Sequence, residues 1–301
     1  MNKMKFGAAL MAAMMLAGCS GATTSVSDAD EKLMTIGDVS VDKGQVYTFM
    51  KNSQGGNLTL SLVEQAIYDK EVPADDEIRK EAEDTYNEYA KDGDLSEYLQ
   101  SMGYKDKDDY IDKVLVPSIQ ADKLLDKWFD DDKDAIIKEY KPSKAQIVQT
   151  DSEDNAKKAL DALKDGKNPE EVYDQYGLES STYNGSSALV TTMDTSLPTR
   201  LVNTLGNTES KPGVVNEVFS DDSNTQFFVA VLVDNDYDTI KSDLIQTLKN
   251  DSTVSDKCVI YYLKKYDFQV YDQDIFDQLK INSPQYLVQR PDLAEDDSSD
   301  N

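Results

Sequence analysis

The chain has 301 residues, of which 58 are acidic, 31 basic and none histidine, for a formal net charge of −27. Acidity on this scale repels nucleic acid and anionic lipid headgroups, and the missing histidine removes Ser-His-Asp and Cys-His nucleophiles together with every histidine-based metal site. With two cysteines, no Walker A loop and no G-x-G-x-x-G, the sequence implies no metal and no cofactor.

Lys3 and Lys5 are the only charges before Asp28, and they precede an apolar run from Phe6 to Ala17. That is the layout of an export signal. As a helix the run reaches about 18 Å, well short of a hydrocarbon core of about 30 Å. Leu16-Ala17-Gly18-Cys19 resembles the lipobox of bacterial lipoproteins, in which the cysteine thiol receives a diacylglyceryl group before cleavage. The resemblance implies a signal peptide over 1–18 and lipidation of Cys19; an ordinary secretory signal with a chance cysteine is the alternative. Two or more acyl chains hold a protein durably at about 0.8 kcal/mol per buried CH₂. The expected location is therefore the extracellular face of the cell membrane, lipid-anchored, with a net charge of −29 once the two leader lysines are gone.

Residues 19–30 read as a lipidated N-terminus and polar linker. Leu33 to Ile36 reads as a strand, Asp38 to Asp42 as a turn, and Asp42-x-x-Gln45 as a capping box opening a helix. Helical periodicity continues through Leu58 to Ile67, from Asp75 to about Lys91, and from Tyr110 to Phe129 with a bend at Pro117. The segment 31–141 is thus mainly helical. After Pro142 the pattern changes: Ala145 to Thr150 reads as a strand, Asp154 to Leu163 as a helix, and Asn168-Pro169 as the cap and first residue of another. A Ser/Thr/Gly loop follows, then a short helix near Leu197 to Leu205. Gly213 to Phe219 and Gln226 to Val233 read as strands, the second apolar on both faces and so central. Helices return at Thr239 to Leu248 and Val254 to Lys265, then a short strand at Phe268 to Val270 and a helix through Leu279. Composition predicts an acidic disordered tail over 286–301.

The order of these parts resembles the PrsA-type foldase lipoproteins, relatives of SurA. Ile36-Gly37-Asp38 with Gln45-Val46 and Leu62 to Ala66 is similar to that family's opening. Lys144 to Val148, Asn155 to Gly166, Pro169 to Tyr176 and Asn184-Gly185 are similar to successive parvulin segments, and Tyr262 to Tyr266 to the closing helix. The resemblance implies an α+β fold: a mainly helical SurA-N-like chaperone domain made from 31–141 and 238–285, with an inserted parvulin-like α/β domain at 142–237. Active parvulins carry a histidine in the first strand, a Gly-Gly pair and a second histidine in the last strand. Here Gln146, Asn184-Gly185-Ser186 and Phe227 or Phe228 occupy those places.

Prolyl isomerisation has a barrier of about 18–20 kcal/mol, lowered only where a shaped, partly desolvated pocket twists the amide. The resemblance therefore implies a degenerate pocket of Gln146, Tyr183, Gly185, Ser186 and Phe227, with weak or missing isomerase activity; Phe227 and Phe228 read equally as strand core. Unfolded or partly folded exported proteins are the implied partners, with a homodimer an open possibility. Their expected contact surface is an apolar cradle drawn from Tyr110, Val114, Trp128, Phe129, Tyr261 and Tyr262, residues that read equally as helical core. Two other readings remain: an active prolyl isomerase using Gln146, Tyr183 and Ser186, and a solute-binding lipoprotein of a transporter, a class that pairs two α/β lobes.

Overall fold

The computed structural model describes residues 23–295. The leader, Cys19 and the last six residues lie outside them. The chain forms two compact units, one made of residues up to Leu124 together with those from Asp256 on, the other of Leu125–Ser255. The fold class is α+β and mostly helical.

The first unit begins with a hairpin of β1 (Lys32–Ile36) and β2 (Val39–Asp42), paired antiparallel with Ile36 opposite Val39. Gly37 at φ +55° makes the two-residue turn with Asp38, a place that favours glycine. The stretch expected to be a turn up to Asp42 is therefore mostly strand. It runs straight into α1 (Lys43–Glu71), whose capping box is formed as anticipated: Asp42 accepts from the Gln45 amide at 2.8 Å and the Gln45 side chain accepts from the Asp42 amide at 3.0 Å.

Gly55 and Gly56 sit in the middle of α1, where glycine costs about 1 kcal/mol relative to alanine. Their reason is a close approach by α12 (Gln273–Asn282): a Cβ on Gly56 would lie 3.3 Å from Gln278 Cβ and 3.4 Å from Leu279 Cδ2. The Gln278 side chain occupies the space, accepting from the Gly56 amide at 3.0 Å and donating to the Lys51 carbonyl at 2.7 Å.

Further along come α2 (Asp76–Tyr89), α3 (Ser96–Ser101) and α4 (Lys107–Tyr110), which passes into a wide π turn at Ile111–Leu115 before α5 (Val116–Asp131). The π turn, closed by Val116 N–H to the Ile111 carbonyl, lies directly before Pro117, which has no N–H to give to the preceding turn. Ile78, Ala82, Tyr86, Leu99, Ile111, Leu115 and Ile119 form one core of this unit.

In the second unit α6 (Lys133–Tyr140) leads to β3 (Ser143–Thr150), then α7 (Glu153–Lys164) and α8 (Pro169–Tyr176), with Asn168 capping α8 through its side chain at 2.8 Å. The presumed loop after α8 contains β4 (Asn184–Val190). After α9 (Thr199–Leu205) come β5 (Gly213–Val214) and β6 (Phe219–Ser220), two short pieces where one strand was expected, then β7 (Phe227–Asp234). The sheet is antiparallel in the order β4-β3-β7-β5, with β6 also on β7, so β7 is central as its two apolar faces require. One face packs on α7 and α8 through Val148, Ala159, Leu163, Val172 and Val229; the other packs on α9 through Ile147, Leu201, Leu205, Phe228 and Ala230.

The chain closes with α10 (Tyr237–Leu248), α11 (Ser252–Lys265), α12 and α13 (Asp292–Glu295). Phe268 to Val270 is not a strand: the Val270 amide finds the Gln289 side chain at 2.6 Å instead of a ladder partner. The expected disorder also fails for the part of the tail described, since Leu287 is buried with Leu60, Phe276 and Leu279. One buried leucine and one glutamine clamp order a segment whose composition is otherwise that of a loop.

Candidate functional site

The residues expected to form a parvulin-like pocket divide between the two faces of the sheet. Ala145 and Ile147 point toward α9, so Gln146 between them points toward α8. There its amide donates to the Gly185 carbonyl at 3.1 Å, and the Ser186 hydroxyl donates to Glu170 at 3.2 Å. Gly185, at φ +83°, runs against the start of α8 so closely that a Cβ would lie 2.4 Å from the Pro169 carbonyl oxygen. Gln146, Gly185 and Ser186 therefore meet as a packing junction. Phe227 is on the same side, packed against the α7/α8 core.

Tyr183 belongs to the opposite face. Its ring meets Phe228 edge-on at 6.0 Å and its hydroxyl shares a hydrogen bond with Ser196 at 2.6 Å. Phe228 is fully buried in the α9 core. The wall of the sheet thus separates Tyr183 from Gln146 and Phe227, and the five residues do not line one pocket.

The expected client-binding aromatics fare differently from one another. Trp128, Phe129 and Tyr262 are interior, 2%, 0% and 0% exposed, and present no surface. Phe129 also offers its carbonyl to the Tyr237 hydroxyl at 2.6 Å. Tyr110, Val114 and Tyr261 are half-buried, with Tyr110 stacked edge-on against Tyr104 and Tyr86. Strong helical periodicity marked the face that packs inward, so the largest side chains it selected are core.

The exposed apolar surface lies elsewhere. Of the 15 large hydrophobic side chains exposed among the described residues, 13 belong to the first unit. They include Leu33, Met34, Ile36 and Val39 of the hairpin, Phe49, Met50, Leu58 and Leu62 of α1, and Tyr98 and Met102 about α3. Sequence reasoning had placed several of these on a helix without a way to tell which face stays open.

A buried charge station holds the same region together. Lys51 reaches Asp272 at 3.2 Å and Asp274 at 2.7 Å, and Asp272 also accepts from the Thr24 amide and hydroxyl at 2.6 Å each. Burial alone would push the Asp272 carboxyl up, but the hydrogen bonds from Thr24, Ile275 and Lys51 outweigh it and hold the group well below the usual carboxylate range. The bond to Asp274, opposed by burial and aided by Asp272, raises Lys51 above its ordinary value. The chain expected to be a loose linker is thereby pinned at Thr24.

Among the described residues no group of acidic or cysteine side chains is placed to hold a metal ion, and no helix is long and apolar enough to cross a membrane. Cys258 is buried, with its sulfur 3.9 Å from the Leu124 carbonyl.

No family model matches the sequence. Solved structures similar to this chain include a PrsA peptidylprolyl isomerase from Bacillus cereus, 16% identical with 84% of this chain and 98% of that one covered at a TM-score of 0.49. Another is a foldase protein PrsA from Streptococcus pneumoniae, 19% identical with 85% and 99% covered at a TM-score of 0.38. A curated relative, the foldase protein PrsA of Streptococcus mutans, is 29% identical over 226 residues, 72% of this chain. The match spans 64% of the length of that relative. Over most of its length, then, this chain is similar to a PrsA foldase.

Proposed function

We propose that this protein is a membrane-anchored extracellular foldase that acts as an ATP-independent chaperone for exported proteins, with prolyl isomerase activity weak or absent. The observation that carries the reading is the distribution of exposed apolar side chains, concentrated on the first unit of a chain that is otherwise strongly acidic. Apolar patches bind unfolded segments, and the surrounding net negative charge keeps the loaded complex soluble. Similarity to the Streptococcus mutans foldase supports the same reading. The weak isomerase follows from chemistry: there is no histidine in the chain, and Gln146 spends its amide on Gly185 on the face away from Tyr183 and Phe228. Lipid on Cys19 would hold the binding surface where exported chains emerge, raising its effective concentration against them.

The leaderless protein should suppress light scattering by a chemically unfolded secreted protein without ATP. Suppression should weaken in the double variant Leu62→Ser/Tyr98→Ser, both of whose side chains are exposed and whose loss leaves the core intact. No suppression by the parent at several-fold molar excess would overturn the chaperone reading.

A further inference from the structure

Among the described residues the β1–β2 hairpin has no packing partner commensurate with its side chains. All five residues of β1 are exposed, with Ile36 at 80% and, across the turn, Val39 at 62%. A lone two-stranded hairpin is at best marginally stable in water, and this one shows apolar groups on both faces. Phe49, two turns into α1, is 74% exposed.

The hairpin base and the pinned N-terminal segment sit on the same end of α1. The Lys43 amide donates to the Glu31 carbonyl at 2.9 Å and the Gly44 amide to the Ala29 carbonyl at 2.8 Å. One turn further, Tyr47 shares a hydrogen bond with the Thr24 hydroxyl at 3.0 Å. Thr24 is five residues on from Cys19. Even fully extended, that stretch spans no more than about 18 Å. A surface to which Cys19 is tied therefore lies within about 18 Å of Thr24, at the end of α1 that also carries the hairpin, itself about 14 Å from Lys32 to Ile36.

We propose that the β1–β2 hairpin, with Phe49, is a second membrane contact: it rests in the interfacial layer of the bilayer that carries the Cys19 lipid. This inference rests on the lipidation of Cys19 proposed above. The local charge sets the kind of lipid. Asp28, Asp30, Glu31, Asp38 and Asp42 outnumber Lys32 and Lys43 around the hairpin, so the contact is apolar, favours zwitterionic headgroups and weakens as anionic lipid is added. The contact would fix the orientation of the first unit at the membrane, which a single flexible tether cannot do.

The test couples the chain from Cys19 onward, carrying Cys258→Ala and Ile36→Trp, to maleimide headgroups on phosphatidylcholine vesicles with and without brominated acyl chains. Trp128 is the single native tryptophan and is buried, so the parent carrying Ile36 supplies the background. Bromine should remove at least a third of the emission added by the Ile36→Trp indole, and less when a third of the lipid is phosphatidylglycerol. Phe49→Trp is the second reporter and should be quenched in the same sense. Emission equal with and without bromine for both reporters would overturn the proposal. So would a blue shift that depends on protein density and not on bromine, which means that a second copy covers the hairpin. Because the coupling is chemical, the result is independent of natural lipidation; that reading is tested separately by the mass of the native protein, which should lack residues 1–18 and carry a diacylglyceryl group.

Discussion

Lys51→Met is expected to destabilise the first unit by about 3 kcal/mol, because removing one partner of a buried ion pair leaves the Asp272 charge held by its hydrogen bonds from Thr24 and Ile275 with no countercharge. The substitution keeps most of the aliphatic stem but deletes the bonds to Asp272, Asp274 and the Thr24 carbonyl, the last at 3.4 Å. At about 2–4 °C per kcal/mol for a unit of this size, the melting temperature should fall by about 6–12 °C. The sign with pH follows from the direction of each shift. Asp272 is depressed in the folded state, so its contribution is present above the ordinary aspartate range near pH 4 and is lost as pH falls toward its folded value. Lys51 is raised, so its contribution is present below its ordinary value near 10.4 and is lost only as pH rises through the folded one. The parent should therefore have a flat stability plateau at neutral pH as far as this station is concerned. The gap between parent and variant should be widest on that plateau and shrink as pH falls below about 4, where the parent loses the share of the Asp272 stabilisation that Lys51 supplies. Thermal melts at pH 7 and pH 3.5 check both statements.

Gly185→Ala should cost a similar amount in the second unit. Its φ of +83° disfavours any L side chain, and the new Cβ would meet backbone, the Pro169 carbonyl at 2.4 Å and the Glu170 amide at 2.7 Å. Backbone cannot rotate away as a side-chain tip can, so α8 would have to shift. Strain of this kind and the accompanying overpacking cost about 1–3 kcal/mol each, for a total of about 3 kcal/mol. The readout is a lower melting temperature together with faster amide exchange at the start of α8. Unchanged stability would mean that the junction of Gln146, Gly185 and Pro169 is looser than its geometry indicates.

What the sequence made legible was set by how local each signal is. The capping box at Asp42 and Gln45, the Asn168-Pro169 helix start, and the short apolar runs of β3 and β7 each lie within a few residues, and all are where the pattern put them. β4 was missed because its stretch of serines, glycine and asparagine has no strand propensity of its own; it is an edge strand held by pairing with β3. The Lys51 station joins residues 221 apart in sequence, and nothing near Lys51 marks it as a buried lysine.

The candidate sites show the same limit. Gln146, Tyr183 and Phe227 were grouped through a family resemblance, yet strand parity sends Gln146 and Phe227 to the α8 face, while Tyr183, just ahead of β4, packs on Phe228 on the opposite one. Trp128, Phe129 and Tyr262 drew attention as large aromatics, and large aromatics at helical spacing are what a core selects. Ile36 and Phe49 gave no such signal. Their exposure is a property of what fails to pack on them, which no local pattern records.

We propose that this chain protects unfolded exported proteins with little or no turnover of their prolyl bonds. Refolding of a secreted protein limited by proline isomerisation, followed with increasing amounts of the leaderless chain, reads both halves at once. The yield of native protein should rise while the rate constant of the slow phase stays close to its value without the chain. A slow phase that accelerates at substoichiometric amounts and loses that acceleration in Gln146→Ala, or a yield that does not rise at several-fold excess, would contradict it.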